Sequence, residues 1–133
     1  MNYIYTGIFF TGLFNNPNIN GKEMGTLERQ IEHPHVTFKY KPDFVDESLF
    51  SEEVTVTVTG YGNDGNNEGL LVEIHSDNQK IMKLAKEIAV PHITLSVSAQ
   101  GKPVDTRYLE FEPIEHFELV GTFGGFINGK PHF

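Results

Sequence analysis

Val54-Thr55-Val56-Thr57-Val58-Thr59 alternates apolar and polar residues with a period of two, which predicts a strand with a valine face toward a core and a threonine face outward. Asn2 to Phe14, rich in Tyr, Ile, Phe and Thr, predicts a first strand that Asn15-Asn16-Pro17-Asn18 breaks. Lys22 to Ile31 has a weak helical pattern, limited at or before His33 by Pro34. His35 to Tyr40, Leu70 to Ile74 and His92 to Val97 each predict a strand, and Gly60 to Gly69 has the Gly and Asn content of a hairpin loop. From Asp77 to Ile88 the residues Ile81, Leu84, Ala85 and Ile88 recur at helical spacing, with Lys80, Lys83 and Lys86 outside and Ser76 or Asp77 as the cap. Pro42 to Glu53 is an acidic connection, Gly101 to Thr106 a polar loop, and Ile114 to Thr122 with Gly124 to Ile127 a closing hairpin. Strands and two helices without regular βαβ spacing predict an α+β fold with mostly antiparallel pairing.

A chain of 133 residues, 38 % of them hydrophobic, fills one compact domain, here residues 1–133. The formal charge of −8 argues against a long duplex nucleic acid as partner, since no basic face is available to displace its counterions. A nucleotide ligand is therefore expected to be small, or one end of a strand. With no Cys, thiolate chemistry and disulfides are excluded. No apolar run reaches the ~18 residues of a membrane span, and Met1-Asn2-Tyr3 lacks the basic start of a signal peptide, so a cytoplasmic protein without a membrane partner is expected.

Pro34-His35-Val36-Thr37-Phe38 and Pro91-His92-Ile93-Thr94-Leu95 share the pattern Pro-His-aliphatic-Thr-apolar, 57 positions apart. A weaker echo relates Val58-Thr59-Gly60-Tyr61-Gly62 to Val120-Gly121-Thr122-Phe123-Gly124. On a strand, residues two apart share a face, so His35, Thr37 and Lys39 point together, as do His92, Thr94, Ser96 and Ser98. If the halves are related by an approximate two-fold axis, both imidazoles meet over one polar cleft. One neutral His then takes a proton from an attacking hydroxyl or water while the other, protonated, supplies the leaving oxygen. The Thr hydroxyls would donate to phosphate oxygens where negative charge builds. A reference imidazole pKa of about 6.5 puts the expected optimum between about 6 and 8.

With His35-Val36-Thr37 and His92-Ile93-Thr94 the chain resembles the 2H phosphoesterase superfamily, whose members carry two His-x-Thr/Ser motifs on central strands of two pseudo-symmetric lobes. The family includes RNA cyclic phosphodiesterases, 2′,5′ RNA ligase-like proteins, the cyclic phosphodiesterase part of fungal tRNA ligases, and phage enzymes that cut cyclic oligonucleotide signals. The resemblance implies a bilobal pair of antiparallel sheets around a central cleft, flanked by two helices, and chemistry that needs no metal and no cofactor. Gly101-Lys102-Pro103-Val104-Asp105-Thr106 after the second motif looks closest to the tRNA-ligase-like and phage branches. Similar enzymes place an aromatic residue near the cleft, and Tyr5 is the candidate here. Lys39 and Ser96 are the other candidates for substrate binding.

Glu115 and Glu118 flank His116, where a carboxylate could orient an imidazole, although an exposed strand end is the simpler reading. Gly60-Tyr61-Gly62-Asn63-Asp64-Gly65 matches a dinucleotide fingerprint, but no helix is expected to follow it. His33, His35 and His92 have the count for a metal site, yet Val36 to Lys41 lacks the Glu that a cupin-like centre requires. His75 and His132 are expected at the surface. The expected function is a metal-independent phosphodiesterase acting on an RNA-end or small 2′,3′-cyclic phosphate, or on a cyclic oligonucleotide. The alternative is a nucleotide-binding module that sequesters such a ligand without cutting it.

Overall fold

The computed structural model describes residues 2–10, 18–19 and 22–133. Ten strands lie among them: β1 (Tyr5–Phe9), β2 (Asn18–Ile19), β3 (Lys22–Glu23), β4 (Arg29–Gln30), β5 (His35–Tyr40), β6 (Glu53–Asn63), β7 (Asn67–His75), β8 (His92–Val97), β9 (Glu112–Ile127) and β10 (Lys130–His132). One α-helix, α1 (Gln79–Ala85), and two 3-10 helices, Glu47–Leu49 and Pro103–Tyr108, complete the described elements. Eight strands form one open sheet in the order β4-β8-β7-β6-β9-β1-β5, with β10 on β9, while β2 and β3 make a separate ribbon. Every pairing is antiparallel. The fold is thus α+β and mostly antiparallel, and the two halves are joined into one sheet where β6 pairs with β9. No helix among the described residues is long and apolar enough to cross a membrane.

The Val-Thr run follows its period: Val54, Val56 and Val58 are buried, and Thr55, Thr57 and Thr59 are half-exposed. These valines join Ile8, Val36, Leu70, Ile93 and Phe123 of neighbouring strands, and Ile81 of α1, in one core. Each such side chain contributes about 1.5–3 kcal/mol by leaving water.

The halves repeat each other in detail. β6 and β9 are central, β7 and β1 flank them, and the motif strands β8 and β5 come next. The echo of Val58–Gly62 in Val120–Gly124 falls on the central pair. Gly69 pairs with Thr94 as Gly7 pairs with Thr37, and in both ladders the register slips just before the glycine. Phe10 donates its N–H to the Pro34 carbonyl (3.0 Å), and Val72 to the Pro91 carbonyl (3.1 Å). A Cβ at Gly7 would stand 2.2 Å from the Val36 oxygen, and one at Gly69 2.8 Å from the Ile93 oxygen. Each bulge therefore needs glycine. The sheet also curls so that β5 lies against β8, and Ile31 donates to the Leu95 carbonyl (3.0 Å).

Several elements differ from the sequence expectation. No helix forms over Lys22 to Ile31. Gly25 has φ 73°, and the N–H groups of Gly25 and Thr26 donate to the Glu68 carboxylate instead of a helix ladder. The second helix is instead the 3-10 helix Pro103–Tyr108, in the expected polar loop, with Pro103 at its first turn. α1 is shorter than Asp77 to Ile88 and is capped by Asn78, whose side chain accepts from the Lys80 and Ile81 N–H groups. The β6–β7 loop shrinks to 64–66 because the Asp64 side chain accepts from Asn66 and Asn67 and closes it tightly. β9 runs unbroken for 16 residues, and its hairpin partner is β10 across Asn128-Gly129 at φ 56° and 78°. The first strand is Tyr5–Phe9; residues 11–14, and the break expected at 15–17, lie outside the described residues.

Candidate active site

His35 opens β5 and His92 opens β8, each directly after a proline whose carbonyl anchors the neighbouring strand. His35 Nδ1 is 2.8 Å from the His33 carbonyl oxygen, and His92 Nδ1 is 2.8 Å from the Val90 carbonyl oxygen. A carbonyl only accepts, so Nδ1 carries the proton in both rings. The neutral imidazoles therefore both present a bare Nε2, and neither Nε2 has a hydrogen-bond partner among the described residues. The same backbone bond in each half thus sets both tautomers.

Burial holds the His35 pKa down to about 4, against the pull of the His33 carbonyl, and positive charge on His92 and His33 lowers it further. Burial also lowers the His92 pKa; the Val90 carbonyl opposes this, and the Arg107 guanidinium adds to it. The charge of His92 therefore reaches His35, and Arg107 stands within electrostatic reach of His92. Arg107 sits in the Pro103–Tyr108 helix with its guanidinium 4.7 Å from the Tyr108 ring centre.

The surface around His35 is aromatic rather than polar. Tyr5 stacks on His35 at 4.5 Å, Phe126 stacks on Tyr5 at 5.0 Å, and Phe9 lies 5.6 Å from His35. Tyr5 Oη is also 3.3 Å from His35 Nδ1, and burial raises the phenol pKa above its ordinary value. Phe133 meets Phe9 edge-on at 5.8 Å. Tyr5 thus packs directly against the His35 ring.

The two threonines are not equivalent. Thr37 is half-buried with no side-chain hydrogen bond among the described residues. Thr94 is buried; its Oγ1 donates to the Pro103 carbonyl (3.1 Å) and shares a hydrogen bond with Thr106 Oγ1 (2.9 Å), which also accepts from Asn67 Nδ2 (3.0 Å). In this state Thr94 pins the Arg107-bearing helix to β8.

Lys39 and Ser96 are corrections. The bulges shift the alternation by one residue, so Lys39 pairs with Thr6 and Ser96 with Glu68, on the face opposite the imidazoles. Lys39 lines a groove with Thr6 and Phe123. Ser96 is fully buried and donates to Glu68 (2.7 Å). Glu68, itself fully buried, also accepts from Gly25 N (2.8 Å), Thr26 N (3.0 Å), Thr26 Oγ1 (3.2 Å) and the Tyr61 hydroxyl. Burial, and then the Glu68 acceptor, push the Tyr61 pKa up to about 12.

Glu115 and Glu118 are exposed on β9 and orient neither imidazole; backbone carbonyls do that. His75 is exposed and its Nε2 is 3.1 Å from Thr57 Oγ1. His132 is half-buried rather than at the surface, and its Nε2 has no hydrogen-bond partner among the described residues. Among the described residues no three His, Asp or Glu side chains converge in a metal-binding arrangement. Arg107, Thr106, Asn67 and Glu68 gave no pattern that sequence reasoning could catch, because each acts through a partner distant in the chain. No protein-family model matches the chain, and no curated protein matches it either.

Proposed function

We propose that the chain is a phosphodiesterase that cleaves a nucleotide phosphodiester by two-histidine acid–base chemistry without a metal. The observation that carries this reading is the pair of imidazoles, each with Nδ1–H on a backbone carbonyl and a free Nε2, each two residues before a threonine, on strands that lie together. A ligand-sequestering module has no need of two rings held in one tautomer. The general base must be neutral and the general acid protonated at the working pH. His35, with the lower pKa, is then the base, and His92 the acid. His35 Nε2 takes the proton from the attacking water or ribose hydroxyl as its oxygen bonds phosphorus. The bond to the leaving oxygen breaks, and the proton on His92 Nε2 passes to it. Arg107 and Thr37 serve the non-bridging oxygens. The aromatic wall of Tyr5 and Phe126 suits a nucleobase, and the small number of cations fits a 2′,3′-cyclic phosphate or a cyclic oligonucleotide better than a long RNA.

Purified protein in EDTA is to be screened against 2′,3′-cyclic nucleotides and cyclic di- and trinucleotides. Turnover is expected, with His35→Ala and His92→Ala each abolishing it and the double variant little worse than either, since the pair acts as a unit. Ligand binding with no turnover by the wild type would establish the sequestering module instead. Activity that returns only on adding Zn²⁺ or Mn²⁺ would overturn the metal-independent mechanism.

A further inference from the structure

The face opposite the imidazoles carries a groove of about 330 Å³ whose counterpart in the other half of the molecule is filled. The two-fold relation that equates Gly7 with Gly69 also equates Thr6 with Glu68 and Lys39 with Ser96, through their cross-strand pairs. It equates Phe123 with Tyr61 through the matching segments of β9 and β6. In the second half Glu68, Ser96 and Tyr61 grip the chain's own residues 24–27: Met24 is buried, Gly25 and Thr26 donate to Glu68, and Leu27 donates its N–H to Ser96 Oγ (3.1 Å). In the first half Thr6, Lys39 and Phe123 line the open groove.

The chemistry of the two places is inverted. Where the filled place presents a carboxylate to N–H donors, the open one presents a hydroxyl and an ammonium group, which call for an anionic acceptor. Lys80 and Lys83 of α1 join Lys39 at this groove, three of the ten Lys and Arg of a chain with formal charge −8, against the two carboxylates of Asp46 and Glu87 on the same lining. Lys80 is 3.8 Å from Asp46, whereas Lys39 and Lys83 form no ion pair among the described residues. Phe123 forms an aromatic floor, and Phe44, 81 % exposed, an aromatic wall. The volume is that of a small-molecule site.

We propose that this groove binds a small ligand with an aromatic body and one anionic group, the body against Phe44 and Phe123 and the anion on Lys39 and Lys83. The proposal stands independently of the phosphodiesterase reading.

The aromatic sulfonate 8-anilinonaphthalene-1-sulfonate supplies both features, and N-phenyl-1-naphthylamine supplies the aromatic body without the charge. Fluorescence titration of the full chain is expected to give one saturable sulfonate site, with backbone amide shifts at Lys39, Phe44 and Lys83 in two-dimensional NMR spectra. Lys39→Gln and Lys83→Gln should each weaken it about tenfold, as for loss of one charge-assisted hydrogen bond, while Lys83→Arg retains it. The neutral amine should bind at least about tenfold more weakly. Both lysines are exposed, so the variants are expected to keep the wild-type amide spectrum. Equal binding of the two probes, equal affinity in a doubly substituted Lys39→Gln/Lys83→Gln protein, or amide shifts confined to the imidazole face would overturn the proposal.

Discussion

At His35 and His92 a single backbone hydrogen bond decides what the side chain can do. With Nδ1–H engaged, only Nε2 can exchange a proton with a substrate, and burial makes protonation costly at both rings. The expected optimum of about pH 6 to 8, drawn from an unperturbed imidazole, therefore moves down. On the proposed phosphodiesterase reading, kcat/KM should rise as His35 loses its proton near pH 4 and fall as His92 loses its own below 6.5. The two limbs report macroscopic values of a coupled pair. A profile of kcat/KM from pH 3.5 to 9 checks this, and a maximum above pH 7.5 would contradict the assignment of base and acid. The threonines should separate by readout. Thr37→Ala removes an open hydroxyl and should lower kcat by about 10²–10³ with an unchanged urea midpoint. Thr94→Ala also breaks the bonds to Pro103 and Thr106, and should reduce stability by about 1–2 kcal/mol in the same denaturation assay.

At the scale of elements, the paired bulges organise the site. Each lets one strand slip by a residue beside the motif threonine, which keeps His and Thr on one face and sends the residue two positions further to the other. The device depends on β1 and β7 bringing a glycine to a spot where the neighbouring backbone leaves no room for a Cβ. Gly7→Ala must push β1 off the Val36 carbonyl, so it should cost more than about 2 kcal/mol and disturb His35 and Tyr5. Gly60→Ala, where the nearest atom to a Cβ is 3.1 Å away, should cost clearly less. Urea midpoints and the His35 ring resonances of the two variants measure this. Similar losses for both would mean that the bulge tolerates a side chain.

For the molecule as a whole, a buried neutral histidine makes stability depend on pH. The unfolded chain protonates His35 near 6.5 while the folded one resists until about 4, so between those values the unfolded state binds more protons. Stability should therefore fall as pH drops through that window, by on the order of 3 kcal/mol for His35, and His92 acts in the same direction. Asp46 and Asp64, held below the usual 3.8, contribute stability that is lost only at lower pH still. Urea midpoints at pH 7, 5.5 and 4.5 should decline for the wild type and decline less for His35→Gln. A midpoint that stays flat would show that His35 takes up its proton in the folded state without penalty.

The sequence alone determined what is local. The Val-Thr alternation specified β6 and its inner face, the repeated Pro-His-x-Thr specified two equivalent strands, and the Ile and Lys spacing specified α1. Each of these depends only on the period of a strand or helix. It also placed His35, Thr37, His92 and Thr94 in one hypothesis, because residues two apart share a face. Tertiary structure decided everything that depends on a partner far along the chain. A carboxylate at Glu68 drew the N–H groups of Gly25 and Thr26 out of a helix, since a buried carboxylate must be satisfied and a weak local propensity cannot compete. Glycines on β1 and β7 set the slips that turned Lys39 and Ser96 to the opposite face. Arg107 came within electrostatic reach of His92 because Thr94 and Asn67 hold its short helix through Thr106. Alternation is written in one strand; register and charge environment belong to the strands and helices that meet it.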